Sequence, residues 1–426
     1  MTENLANQQT FKSYIFFWTG QLFSILGSSI TQFVIVWWIT ITTGSILMLS
    51  IASFIYILPM TIVVPIAGVL TDKWNRKKII MAVDSLQACI TFIVILLFNF
   101  ELANPVLIIA INGLLGLFQG FHIPTVNAII PTMVPKDRLS RINGVSFLFS
   151  SFLQTIGPII AAMLLSFIPI KIILWIDPIT FLIAVIPLLF ISIPSIKTET
   201  KAVKKNSFLE DFKVGFRTLK LIPVVLMMLL VSMFVNFLWR PFGILMPYFV
   251  RFDHSGTASD LAIVFTFMNG GMLLGALIAS IKKQWKRGIS VYFGGEFTLM
   301  VAYAIVAISP HGFFLQMGIG AAIFGTMVPI LNTIYLTIIQ TKVPADKMGR
   351  ISSIDFAVSM AISPIGAIIS GPLAELFGVA NLFLYCAILG MVITIIFWWI
   401  AHVRLNVSDK KEEFDRADTN IEKISN

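Results

Sequence analysis

The chain has 426 residues, a mean hydropathy of +0.92 and 12% charged residues. Soluble domains carry about 25% charged residues, so this density leaves too little polar surface to wet a globule and excludes an ordinary soluble enzyme. The net charge of +9 raises the question of a nucleic-acid partner, and the placement of the charges answers it.

A membrane-spanning helix needs about 20 apolar residues. After a polar start and Lys12, the first apolar run covers about 14–41. It is too long for the core of a cleaved leader and lacks a small-residue cleavage site, so a retained first helix is expected. Further runs lie near 46–70, 79–99, 105–131, 142–168 and 172–193. A second set follows near 222–249, 260–281, 289–309, 313–340, 352–373 and 378–402. Open sheet cannot cross lipid, and the runs are too continuous for the alternating pattern of a barrel. The expectation is an all-α membrane protein with twelve spans.

Of the 30 Lys and Arg residues, 27 fall in the even-numbered loops, the central loop and the two ends. Lys171 and Arg251 fall on the other side, and Arg240 lies within a span. The positive-inside rule then puts both termini in the cytoplasm. The excess positive charge is topology and contact with anionic lipid on that side, and nucleic acid drops out as a partner.

The organisation expected is 1–193 as a first six-helix half, 194–221 as a linker, 222–404 as a second half and 405–426 as a disordered tail. In the linker, Ser207 and Glu210 make a capping-box pattern ahead of an amphipathic helix carrying Phe208, Phe212 and Phe216. The halves echo each other. Val134-Pro-Lys-Asp137 with Arg141-Ile142 recurs as Val343-Pro-Ala-Asp346 with Arg350-Ile351. Just upstream, Gly120, Pro124 and Asn127 recur as Gly325, Pro329 and Asn332. Six-plus-six architecture with parallel halves is a transporter plan, with the substrate site at mid-membrane between the halves.

The loop after the second span reads Gly68-Val-Leu70-Thr71-Asp72-Lys73-Trp74-Asn75-Arg76-Lys77. Gly68 permits close helix packing, Asp72 sits among basic residues at the membrane edge, and Asn75 suits a turn with positive φ. In the fifth span, Gly157-Pro158 precedes Ala161-Ala162. These segments resemble the major facilitator superfamily. The loop matches that family's Gly-x-Leu-Ala-Asp-Arg-x-Gly-Arg-Arg/Lys pattern at Gly68, Leu70, Asp72, Arg76 and Lys77, with Thr71, Lys73 and Asn75 as departures. The resemblance implies a gate, closed on the cytoplasmic side against the eleventh helix, in which Asp72 and Arg76 take part. Gly157-Pro158 resembles the motif of proton-exchanging exporters. The fourth-span Arg of many drug–proton antiporters is missing, and Phe121-His122-x-Pro124 with Asn127 looks most like the macrolide-efflux branch, which also resembles siderophore exporters.

The same resemblance puts substrate contacts on the first, fourth, seventh and tenth spans. The residues that offer them are Gln21, Ser24, Ser28 and Gln32, Asn112 and Gln119, Ser232, Asn236 and Arg240, and Asn332. Polar stripes in hydrocarbon must face the bundle interior, either towards a cavity or towards neighbouring helices. Arg240 needs a partner, with Asp177, Glu375, an anionic substrate group and the outer headgroups as alternatives. Proton coupling needs a buried carboxylate, for which Asp84, Glu296 and Asp355 are candidates, although helix capping is an alternative for Asp84 and Asp355. Cys89 and Cys386 are far apart, the four histidines have no ligand spacing, and no enzyme motif is present. No metal or cofactor is expected. The function expected is proton-driven export of amphipathic small molecules by a monomer. Export of a siderophore or metabolite is the alternative within transport, and a lipid-handling or scaffold protein the alternative outside it.

Overall fold

The computed structural model describes residues 7–193, 219, 222–282, 285, 287–343 and 348–425, without the side chains of 69, 72, 73, 140, 147, 349, 350, 352, 353, 356–359 and 403–425. The linker helix expected within 194–221 lies outside the described residues apart from Leu219.

Twelve helices cross the bundle. They are α1 Gln8–Thr43, α2 Ile46–Lys73, α3 Arg76–Asn99, α4 Pro105–Met133, α5 Leu139–Leu165 and α6 Ile176–Phe190, the last preceded by a single turn at Ile170–Ile173. The second half holds α7 Pro223–Tyr248, α8 Ala258–Ile281, α9 Gly288–Ala307, α10 Phe314–Lys342, α11 Met348–Phe377 and α12 Val379–Ser425. Among the described residues all twelve, α6 together with the turn before it, carry a stretch long and apolar enough to span a membrane.

Local chemistry sets the boundaries. Asn7 and Thr10 cap α1 reciprocally, Ser45 accepts from the Met48 N–H to start α2, and Thr257 with Asp260 forms a capping box on α8. Asn75 does not take the positive φ expected of it. It is an extended N-cap (φ −69°) whose side chain accepts from the Lys78 N–H, because α3 starts at once after the loop. The last helix also differs from expectation. Residues 405–425 continue α12, since no Gly or Pro interrupts the chain after the span.

Small residues set how closely the helices approach. On α4, a Cβ at Gly116 would strike the Tyr56 backbone of α2, and one at Gly120 would come within 3.0 Å of the Met60 carbonyl oxygen. The second half repeats the device, with Gly271 and Gly275 of α8 against Ala322 and Thr326 of α10. Tight pairs α2–α4 and α8–α10 thus stiffen the two halves in the same way.

The halves meet at the end away from the basic loops. There Phe33 of α1 packs edge-on against Phe265 of α8 with centroids 6.5 Å apart, and Gly371 of α11 sits against Ser50 and Leu47 of α2. At the basic end, Tyr14, Phe17, Ile80, Ile129, Met133 and Leu188 belong to a core that the first half keeps to itself. Among the described residues the bundle is therefore closed at one end and divided at the other.

At the closed end, α7 runs into a π-helical turn, Phe249–Asp253, followed by His254. His254 is buried, stacks on His311 at 5.9 Å, and accepts the Gly312 N–H at Nδ1 (3.2 Å). Burial first, and His311 second, hold its imidazole below the ordinary histidine range, with a backbone bond to Pro310 opposing them. The folded state favours the neutral ring. Its stabilising contribution is complete above about pH 6.5, the unperturbed value, and is lost as pH falls below it. The thermal midpoint of purified protein is expected to fall between pH 7.5 and pH 5, and by less in His254→Gln. Helix packing gives a second expectation. Gly116→Leu lowers the midpoint by several degrees, as overpacking by about 1–3 kcal/mol would, whereas Gly294→Leu, where an added Cβ meets nothing within 4 Å, leaves it nearly unchanged.

Candidate functional site

A cavity of about 890 Å³ lies between the halves. Its walls differ in chemistry. The first half supplies Gln21, Ser24, Ser28, Ser29 and Gln32 from α1, Asp84 and Gln87 from α3, Asn112, Gln119, His122 and Asn127 from α4, and Gln154 from α5. The second half supplies mostly apolar groups, Trp239, Ile244, Leu261, Phe265 and Met268, with Arg240 and Asn269 as its polar members. The first-half wall interleaves amides, hydroxyls and a single acid with apolar groups such as Ile25, Phe33 and Val126, and the other wall is mostly apolar with a single strong cation.

Helical periodicity builds the polar wall. Gln21, Ser24, Ser28 and Gln32 recur every three or four residues on α1, and Asp84 and Gln87 do so on α3. Gln21 Nε2 donates to Asp84 Oδ2 at 3.3 Å, and His122 Nε2 stands 3.2 Å from Asp84 Oδ1. Gln87 Nε2 donates to Gln119 Oε1 at 3.2 Å. Asp84 is thus no helix cap but a buried cavity-wall carboxylate, 5% exposed, with an amide on one oxygen and an imidazole beside the other. His122 is the residue that sequence reading passed over. Its signal was its place in the fourth span one turn from Gln119, but its partner came only from the crossing of α3 and α4. Asn112, 4% exposed, keeps its Oδ1 without a hydrogen-bond partner among the described residues.

Arg240 projects from α7 into the cavity. Neither acid expected as its partner serves. Asp177 is held within the first half by Ser28 and Thr91, and Glu375 lines a separate pocket at the closed end with Tyr248 and Asp253. Arg240 donates instead to the Ser363 hydroxyl of α11, its guanidinium lies 6.0 Å from the Trp239 ring, and Gly366 leaves room for its stem. Its Nε is buried without a partner among the described residues.

Other expected residues fall elsewhere. Asn236 Nδ2 bonds back to the Ser232 carbonyl at 2.8 Å, so those two satisfy each other along α7 and do not line the cavity. Asn332 is exposed and also off its wall, whereas its repeat mate Asn127 lies on it, because the cavity draws its polar lining from the first half. Glu296 is buried beside Tyr292, and Asp355 accepts from the Tyr335 hydroxyl at 2.7 Å; both lie within the second half, away from the cavity.

Of the loop motif, the Asp72 side chain lies outside the description. Arg76 donates to the Ala128 carbonyl at 2.9 Å, and Lys77 Nζ to the Leu189 and Ile191 carbonyls at 3.1 and 2.8 Å. These two cations tie α3 to the ends of α4 and α6. One contact of α2 with α11 lies at the other end, where Gly371 sits against Ser50. Nothing crowds Gly68, whereas a Cβ at Gly157 would come within 2.7 Å of Ser29 Cβ, so Gly157-Pro158 brings α5 onto α1 beside the cavity.

Comparison with known proteins fits this geometry. The chain is 28% identical over 389 residues to Macrolide efflux protein A of Streptococcus pyogenes, covering 91% of this chain and 95% of that one. It is 22% identical to Multidrug efflux pump Tap of Mycolicibacterium fortuitum, over 84% of this chain and 88% of that one. Its fold matches the crystal structure of a bacterial homologue of the iron transporter ferroportin in an inward-facing state, with a TM-score of 0.69, 13% identity, and 91% and 98% coverage. The family model described as Major Facilitator Superfamily matches residues 17–365. With that match over most of its length, and two six-helix halves around one cavity, the chain belongs to the Major Facilitator Superfamily and is a multi-pass transporter of the cell membrane.

Proposed function

We propose that this transporter exports amphipathic, macrolide-like molecules in exchange for protons. The two-faced cavity carries the reading. A large ligand with an apolar body and scattered hydroxyls and amines would bury its body against Trp239, Phe265 and Met268 and its polar groups against the amide wall. The similarity to Macrolide efflux protein A supports the same substrate class. The basic loops put the divided end of the bundle in the cytoplasm, so the conformation described is the one that loads substrate from inside. A monomer in contact with anionic lipid suffices for this cycle.

Asp84 is the coupling acid. Among the three carboxylates considered, it lies on the cavity wall, where substrate and proton meet the same group. Buried ionisable groups in a membrane are costly unless partnered, and His122 and Gln21 give this one a polar partner at each oxygen. A siderophore or other metabolite rich in acceptors is the second reading, favoured by the presence of the Arg240 cation on the cavity wall.

Cells that produce the protein are expected to accumulate less erythromycin than cells without it, and a protonophore should erase the difference. No difference with erythromycin or with other lipophilic probes would defeat export. A difference that survives the protonophore would defeat proton coupling. Arg240→Ala should weaken handling of an acceptor-bearing substrate about 10- to 100-fold, the loss of one charged hydrogen bond, with unchanged abundance in the membrane. Asp84→Asn should abolish uphill export in proteoliposomes while downhill efflux continues.

A further inference from the structure

Behind the polar wall, Asp177 of α6 takes part in no contact assigned above to substrate. Its two oxygens are each satisfied by a hydroxyl. Ser28 of α1 donates to Oδ1 at 2.9 Å, and Thr91 of α3 donates to Oδ2 at 2.8 Å. The seam is tight, because Gly27 leaves α1 free to press against Thr180, one turn along α6 from Asp177. Ser28 itself lines the cavity and is exposed to it. Asp177 therefore reaches the cavity through one hydroxyl.

The spacing matches that around Asp84. On α1, Gln21 bonds Asp84 and Ser28 bonds Asp177, with Ser24 between them. On α3, Asp84, Gln87 and Thr91 stand at the same intervals. Seven residues of helix advance about 10 Å. Asp177 thus lies one rung, about 10 Å, nearer the closed end of the bundle than Asp84. Two parallel polar stripes join the two carboxylates.

We propose that Asp177 is a second proton-binding site, linked to the cavity by Ser28 and working in series with Asp84. This rests on the proton-exchange reading above. A proton arriving from cavity water binds Ser28 Oγ as the hydroxyl's own proton passes to Asp177 Oδ1, leaving a neutral hydroxyl and a neutral carboxylic acid. The acid must then donate, so the Ser28 hydroxyl turns to accept from it and to donate into the cavity. Ser28 thereby reports the state of Asp177 to the substrate space. Lying nearer the end that is closed here, Asp177 is placed to take protons when that end opens, and Asp84 to release them at the other. The titratable groups facing this seam from the packed helices are few: Asp84 on α3, with His122 of α4 beyond it; α1 presents none between Lys12 and its end other than Tyr14, which lies in the basic-end core, and Lys171 precedes α6 at the closed end.

The test needs no substrate. Spin labels at Leu102→Cys and Ile308→Cys, exposed residues on opposite halves at the closed end, report opening there in liposomes once Cys89 and Cys386 are replaced. In the parent protein, the open fraction should rise on acidification with a Hill slope near two. Asp177→Asn should lower the slope to near one and leave the remaining transition to Asp84. Ser28→Ala, which keeps the acid but cuts its link, should shift the midpoint, and it decides the matter if Asp177→Asn fails to fold. A parent-like curve in Asp177→Asn, or in Ser28→Ala when that variant decides, overturns the proposal, as does a parent protein that ignores pH. Failure to export erythromycin would defeat the substrate reading while leaving these curves unaffected, so the two failures are distinguishable.

Discussion

Hydrocarbon offers no hydrogen bonds, and this one constraint organises the molecule. Every backbone group must be satisfied within its own helix, and every polar side chain must find a partner or a wet space. The chain meets the first demand with twelve helices, and many of its Thr and Ser hydroxyls donate to carbonyls one turn back on the same helix, as Thr40 does to Val36 and Thr326 to Ala322. Much of what cannot be satisfied so locally gathers at the cavity, while Glu296 and Asp355 are held within the second half beside Tyr292 and Tyr335.

The same constraint divides labour between the halves. The first half holds nearly all of the polar wall and two interior acids, each already partnered by neighbours from other helices. The second half holds an aromatic core, with Phe242 stacked on Phe324 at 5.5 Å and edge-on to Tyr303, and presents that greasiness to the cavity around a lone guanidinium. The polar lining thus belongs mainly to one half, so moving one half against the other would change what faces the acid.

Much of this was legible from the chain. The spans, the six-plus-six plan and the α1 stripe all follow from periodicity and apolar length, which act within one helix. What was not legible shares a cause. Asp84 reads equally as a coupling acid or a cap, and His122 has no ligand spacing, because their meeting depends on how α3 crosses α4, and the two lie 38 positions apart. Arg240 was offered the wrong acids for the same reason: Ser363 is more than a hundred positions away, and nothing local marks it as a partner. Asn332 failed because a repeat in sequence does not guarantee equal placement about an asymmetric cavity. Asn75 failed in a different way, because a helix that begins without a loop turns a flexible residue into a cap.

The packing of α2 on α4, and of α8 on α10, has a consequence for how such a protein can diversify. At Gly116 and Gly271 there is no room for a single added carbon against the neighbouring backbone. Those seams are closed to innovation. The cavity wall, by contrast, is bordered by space, so change of cargo is expected to come from side chains that face it while these seams stay as they are.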